Sequence, residues 1–331
     1  MKISQKKLNY TLRDTQEQGG DGTGHDAALN FYDQYHLVRD WSALNRRGLT
    51  QTNSKGTPYV FGVNVSAYGS RIAADGGGAT TPDESLSDDD IRSSLVTIRF
   101  YGVQNTWVYK QAAQKLHKAR EKMFKDAGVK KSDRGSYSHT IRYPLEDQDE
   151  AYETPVSTTN RSTIAGGTWD HTQIVYQDDA DGAYIALSGA HNTEESATTF
   201  DCLFLPQLYL QSRGTMPSDT NVETSTTPAA ESILRKMMRT GTASFHDTAT
   251  GLARGEQDNP PYDLTAVGGD ASDLVELGRI QFNPYTAGGG HCFIEVPFGV
   301  LKTQTQILDH TDSDADISLD LTFECTAIAS M

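Results

Sequence analysis

The sequence is short of the residues from which disulfide frameworks, metal knots and membrane spans are built. Only three cysteines occur in 331 residues, Cys202, Cys292 and Cys325, each isolated in an apolar setting with no CxxC spacing. An odd, scattered set argues against a disulfide framework, and free cysteine packs as a small hydrophobe, which is the role expected of all three. No stretch approaches the roughly 18 consecutive apolar residues of a membrane helix. The opening MKISQKKLNYTLR has neither the apolar segment nor the small-residue cleavage site of a secretory signal. A soluble chain made in the cytoplasm, without membrane insertion, is the expectation.

Catalytic signatures are equally scarce. The nine histidines include no HExxH and no pair at metal-ligand spacing, and no GxSxG nucleophile setting occurs. Trp169-Asp170-His171 is the nearest approach to a polar cluster and reads as a strand start with a packed tryptophan. The glycine-rich Gly19–Gly24 segment matches neither phosphate-loop pattern and reads as a linker. Asp312, Asp314 and Asp316 have the alternate spacing of a calcium loop, but Ile317 stands where the turn glycine belongs and Phe323 where the bidentate glutamate belongs. They read as a solvated acidic turn, with calcium at a subunit contact as the sharper alternative. Asp178, Asp179 and Asp181 before Gly182 read as a hairpin turn. No enzyme and no resident cofactor are expected.

What the sequence does have is acid, alternation and one basic segment. The net charge is −15, which weighs against a surface that condenses nucleic acid everywhere. Its distribution is uneven. Lys2, Lys6, Lys7 and Arg13 precede the first acid. Between Trp107 and Arg142 ten lysines and arginines face three acids, a local +7 that leaves −22 for the remainder.

Strict alternation marks half-buried strands, because successive side chains point to opposite faces. It is clearest over 317–327, where every odd residue from Ile317 to Ala327 is apolar, and it recurs over 59–67, 96–100 and 292–298. Shorter strand candidates lie at 137–143, 172–177, 183–189 and 198–210, the last bent or placed at an edge by Pro206. About eight strands fit an all-β fold, an antiparallel eight-stranded jelly-roll β-sandwich. One amphipathic helix, about 106–127, is inserted between strands. Ala112, Ala113, Leu116, Ala119, Met123, Phe124 and Ala127 form its apolar side, and Lys110, Lys115, Lys118, Lys122 and Lys125 lie opposite. A shorter helix is predicted at 229–239, ended by Gly241. Long polar connections at 14–27, 73–90, 211–228 and 240–272 suit surface variation or subunit contacts. The expected organisation is an N-terminal arm, 1–28, partly flexible, followed by a single shell domain over 29–331 with large loops at 73–90 and 211–272.

Two segments resemble a known family. Asp40-Trp41-Ser42-Ala43-Leu44-Asn45-Arg46-Arg47-Gly48-Leu49-Thr50-Gln51, leading into Tyr59-Val60-Phe61-Gly62-Val63, is similar to the region before the first strand of capsid proteins from small Rep-encoding circular single-stranded DNA viruses. Thr106 to Val129, followed by His139-Thr140-Ile141-Arg142-Tyr143, resembles the helix and next strand of the same capsids, especially environmental and marine ones. The resemblance implies a jelly-roll subunit, an icosahedral shell made of copies of this chain, an enclosed DNA genome, an unidentified host-surface receptor and residence in the virion. The long Arg-rich arm of that family is here reduced to four basic residues. Nucleic-acid contacts would therefore fall to Lys2, Lys6, Lys7, Arg13, Arg46, Arg47, Lys115, Lys118 and Lys122. Two other readings compete: a carbohydrate-binding or adhesive β-sandwich, and, more remotely, a β-sandwich hydrolase with an acidic metal site.

Overall fold

The computed structural model describes residues 3–12, 29–72, 95–145, 171–172, 174–176, 179–189, 201–213, 274–283, 289–308 and 316–331. Two four-stranded sheets face each other. The first has the order β1 (Lys7–Leu12), β11 (Asp316–Ser330), β3 (Tyr59–Ile72), β9 (Gly289–Pro297). The second has the order β2 (Leu29–His36), β10 (Val300–Leu308), β4 (Leu95–Gly102), β8 (Val275–Phe282). Every pairing in these two sheets is antiparallel. The all-β sandwich expected from the alternation is therefore what the chain forms.

The alternating residues supply the shared core. Leu319, Leu321, Phe323 and Cys325 from β11 are buried with Phe61, Val63, Val65 and Ala67 from β3 and Val96, Ile98 and Phe100 from β4. Rings join the two sheets: Tyr10 meets Tyr35 edge-on at 4.8 Å between centroids, and Phe100 meets Phe323 in the same manner at 6.2 Å. The alternation in β11 does not run to its end. A bulge between Cys325 and Ala327 advances the register against β3, so Ala327 is exposed and Ile328 packs against the core instead. One inserted residue reverses which side chains face inward.

Several expectations need correction. Four sandwich strands, β1, β2, β8 and β10, were not among the predicted ones, while three of the short candidates fall elsewhere. β5 (Ile174–Tyr176), β6 (Asp179–Ala186) and β7 (Asp201–Phe204) form a separate three-stranded sheet, in which β6 and β7 are parallel. The hairpin anticipated near Gly182 closes earlier, with Tyr176 opposite Asp179. Residues 137–143 are no strand: Ser136–His139 is a 3-10 turn, and the extended residues after it bury Ile141, Tyr143 and Leu145 without joining a ladder. Pro206 neither bends a strand nor marks an edge. It lies in the first turn of α3 (Leu205–Arg213), where a missing N–H costs nothing. The N-terminal segment contributes a strand, since β1 pairs with β11 and buries Leu8 and Tyr10. The loop expected at 211–228 begins later, because Gln211, Ser212 and Arg213 end α3, and its remainder, the predicted helix at 229–239 and the loops at 14–27, 73–90 and 240–272 lie outside the described residues.

Three α-helices occur among the described residues: α1 (Leu37–Asn45), α2 (Trp107–Asp126) and α3. None is long and apolar enough to cross a membrane. The first two abut one turn. Between β9 and β10 the chain reverses through Phe298 and Gly299, whose φ angles are 58° and 66°. The Gly299 N–H donates to the Val296 carbonyl at 3.3 Å, closing a four-residue turn that carries the chain from the first sheet to the second, with Phe298 at the position that needs a positive φ. An aromatic residue is costly there, but Phe298 is fully buried between Tyr143, at 5.2 Å, and Tyr109 of α2, at 6.3 Å. Gly299 accepts a hydrogen bond from the Leu37 N–H at the start of α1, and a Cβ on it would come within 2.4 Å of Val38. Both helices therefore sit at the same end of the sandwich. A second core cluster lies beneath α2, joining Tyr109, Ala112 and Ala113 to Tyr143, Ile185, Leu187, Leu205, Phe298 and Val300.

Candidate nucleic-acid interface

The basic segment forms helix α2 where the periodicity placed it, with Thr106 at its N-cap. Its buried side differs from the expectation. Tyr109, Ala112, Ala113, His117 and Arg120 face the protein, while Ala119 and Ala127 are exposed. The reason is the chain that returns after the helix. Arg120 donates to the Ser138 carbonyl at 2.7 Å, and the guanidinium groups of Arg120 and Arg134 lie 4.7 and 4.2 Å from the centre of the Phe124 ring. Arg134 also pairs with Glu121 at 2.6 Å. This packing turns His117 inward, against the turn at Gly56, where a Cβ would approach the His117 Cβ to 2.4 Å. Burial lowers the His117 pKa from its ordinary value.

Not all of the local +7 therefore faces solvent. Arg120 is buried, and Arg134 is neutralised by Glu121. Lys115, Lys118, Lys122 and Lys125 remain exposed along α2. The Lys115 ammonium reaches the Ser212 hydroxyl at 2.5 Å and stands 5.8 Å from the Tyr209 ring, which ties the helix to α3. Lys122 bonds Asp126 at 2.9 Å, one turn along, and this contact raises the lysine's pKa. An exposed pair of this kind contributes little to stability and leaves the ammonium accessible.

A second basic group gathers at the far end of α1. Arg46 caps that helix in the left-handed region, φ 48°, and Arg46 and Arg47 are both exposed. The Asn45 side chain accepts from the backbone N–H groups of Ser4 and Gln5 at 3.0 and 2.8 Å and donates to the Gln5 carbonyl. The chain entering β1 is thereby held against α1, with Lys6 exposed just beyond the contact. Lys6 is fixed further by its carbonyl, which accepts from Trp41 Nε1 and from the Cys325 N–H. Lys7 stands apart, on the outer face of the first sheet, 3.6 Å from Glu324.

Lys6, Arg46 and Arg47 are thus exposed around the junction of α1 with the chain entering β1, and Lys115, Lys118 and Lys122 line one side of α2. Lys2, Arg13, Asp312 and Asp314 lie outside the described residues, and Asp316 opens β11 opposite Ile72. Among the described residues no three His, Cys, Asp or Glu side chains converge as metal ligands. His171 is buried with its ring 5.0 Å from Tyr184. The sequence reading missed Trp107, which begins α2 and is 58% exposed. Helical spacing places Trp107 on the same side of α2 as Lys115, Lys118 and Lys122, which is the signal in the sequence that points to it. No family model, curated protein or solved structure matches this chain.

Proposed function

We propose that this chain is a capsid subunit that assembles with copies of itself into a closed icosahedral shell around a nucleic-acid genome, single-stranded DNA by resemblance. The observation that carries the reading is the strand pairing. When the eight sandwich strands are numbered in chain order, the first pairs with the eighth, the second with the seventh, the third with the sixth and the fourth with the fifth. A ribbon of four such pairs, folded over into two facing sheets, has the order of a jelly roll, an architecture used by shell proteins. The row of exposed lysines along one side of α2, in a molecule of net charge −15, adds support, since it would give a shell two electrically distinct surfaces. Few charges per subunit suffice when many copies line one cavity.

Electron microscopy and size-exclusion chromatography of the expressed full chain test the proposal. Closed particles are expected, and a strict monomer at every salt and calcium concentration would overturn it. Simultaneous reversal of Lys115, Lys118 and Lys122 to glutamate is expected to lower the nucleic-acid content of the particles. Particles with an unchanged content would remove α2 from the interior surface. The competing carbohydrate-binding reading draws on Tyr68 and Phe293, exposed by 58% and 56% on the outer face of the first sheet. Glycan binding by a monomer that forms no particles would favour it.

A further inference from the structure

Trp107 shares one side of α2 with the lysines. At 3.6 residues per turn, Trp107, Gln111, Lys115, Lys118, Lys122 and Lys125 fall within an arc of about 80° and extend about 27 Å along the helix. All six are exposed. Tyr209 of α3 meets Trp107 edge-on, with centroids 6.3 Å apart and planes at 81°, so the indole is braced on one flank while more than half of its surface stays in water. Lys115, bonded to Ser212 and close to the Tyr209 ring, locks this corner of the two helices.

A braced indole at the head of a row of ammonium groups has the composition of a single-strand site: an aromatic face for a base and a positive track for the phosphates that follow. A duplex keeps its bases stacked inside and offers the indole nothing. We propose that Trp107 is a stacking platform for an unpaired base, and that Lys115, Lys118, Lys122 and Lys125 follow the backbone of the same strand. The ligand is a single-stranded polynucleotide. This deepens the nucleic-acid part of the function proposed above and rests on it.

The test measures binding of the full chain to a labelled oligo(dT) of about 12 nucleotides across a salt series. Trp107→Ala is expected to weaken binding by about 5- to 150-fold, the range for loss of one stacked base, without changing the salt slope. Trp107→Phe should recover most of the loss. Lys118→Ala should lower the slope by about 0.7. An abasic strand of equal length should bind the wild type and Trp107→Ala alike, and oligo(U) against oligo(dT) separates RNA from DNA as the source of the strand. If Trp107→Ala binds oligo(dT) as tightly as wild type while Lys118→Ala is weakened, stacking is overturned and the basic face stands. A wild type that binds no polynucleotide overturns both readings. Equal dependence on Trp107 for a sulfated glycan, with no preference for the polynucleotide, would also overturn this one.

Discussion

The Gln51 side-chain amide stands in for a neighbouring strand against Tyr143: Nε2 donates to the Tyr143 carbonyl at 2.9 Å, and Oε1 accepts from the Tyr143 N–H at 2.7 Å. Both residues are buried. This reciprocal pair holds extended residues beside the sandwich with no ladder, and so helps position the ring of Tyr143 against Phe298.

Gln51→Met keeps the shape of the side chain and removes both bonds, leaving a backbone donor and acceptor buried without partners. Each orphaned group costs about 1–3 kcal/mol. Urea denaturation should show the variant less stable by about 2–6 kcal/mol. A loss within error would mean that residues 141–145 find other partners.

His117 is buried where the Gly56 turn meets α2. Burial lowers its pKa below 6.5; Glu121 opposes the shift, and Arg120 and Arg134 reinforce it. Above pH 6.5 the imidazole is neutral in both folded and unfolded chains, and its full contribution to stability is present. As pH falls through 6.5 the unfolded chain takes up a proton that the folded one refuses, and stability declines until the folded pKa is reached. A nuclear magnetic resonance titration should place the His117 midpoint below 6.5. His117→Gln should lose part of the decline in stability that sets in as pH falls through 6.5.

Gly299→Ala introduces a Cβ 2.4 Å from Val38 Cγ2 at a φ of 66°. Overpacking of this kind costs about 1–3 kcal/mol, and the backbone strain adds to it. Val38→Ala in the same chain should restore the part due to the Val38 clash and leave the parts due to strain and to the Phe61 ring, 3.1 Å from the same Cβ. Thermal unfolding of the two single variants and the double variant measures both. Full additivity would show that Val38 and residue 299 do not meet.

Burial pushes the Cys292 thiol up to about 11. At pH 8 roughly one molecule in a thousand then carries the thiolate, about a hundredfold less than an ordinary cysteine. Iodoacetamide should modify Cys292 about a hundred times more slowly in the folded chain than after denaturation, as followed by mass spectrometry of the labelled peptide. Equal rates would place the thiol in water.

Legibility in the sequence followed contrast along the chain. β3, β4, β9 and β11 could be read because in each a run of buried apolar residues alternates with mostly polar ones on the other face. β10 could not, since it buries Thr303 and Thr305 where apolar residues would mark a strand, and β8 carries a glycine and a bulge opposite β4. β2 was concealed likewise by its polar composition, Asn30, Asp33 and Gln34. In 137–143 the alternation was genuine, but a side-chain amide and irregular backbone contacts took the place of a partner strand. Of the candidate site, the lysine row on α2 was readable from helical spacing alone. The inward turn of His117 and Arg120 was not, because the cause is the returning segment around Ser138.

By itself the sequence determined the local periodicities: two-residue alternation that makes sheets, and a 3.6-residue pattern that makes one basic helix. Tertiary structure alone decided which strands pair, that Asn45 at the end of α1 meets the chain entering β1, and that Trp107 stays in water beside the lysines. Periodicity is a property of neighbouring residues, and backbone geometry enforces it wherever the chain lies. Pairing and exposure depend on residues as much as three hundred positions apart, such as Asn9 and Thr322, and only the closing of the two sheets brings these together.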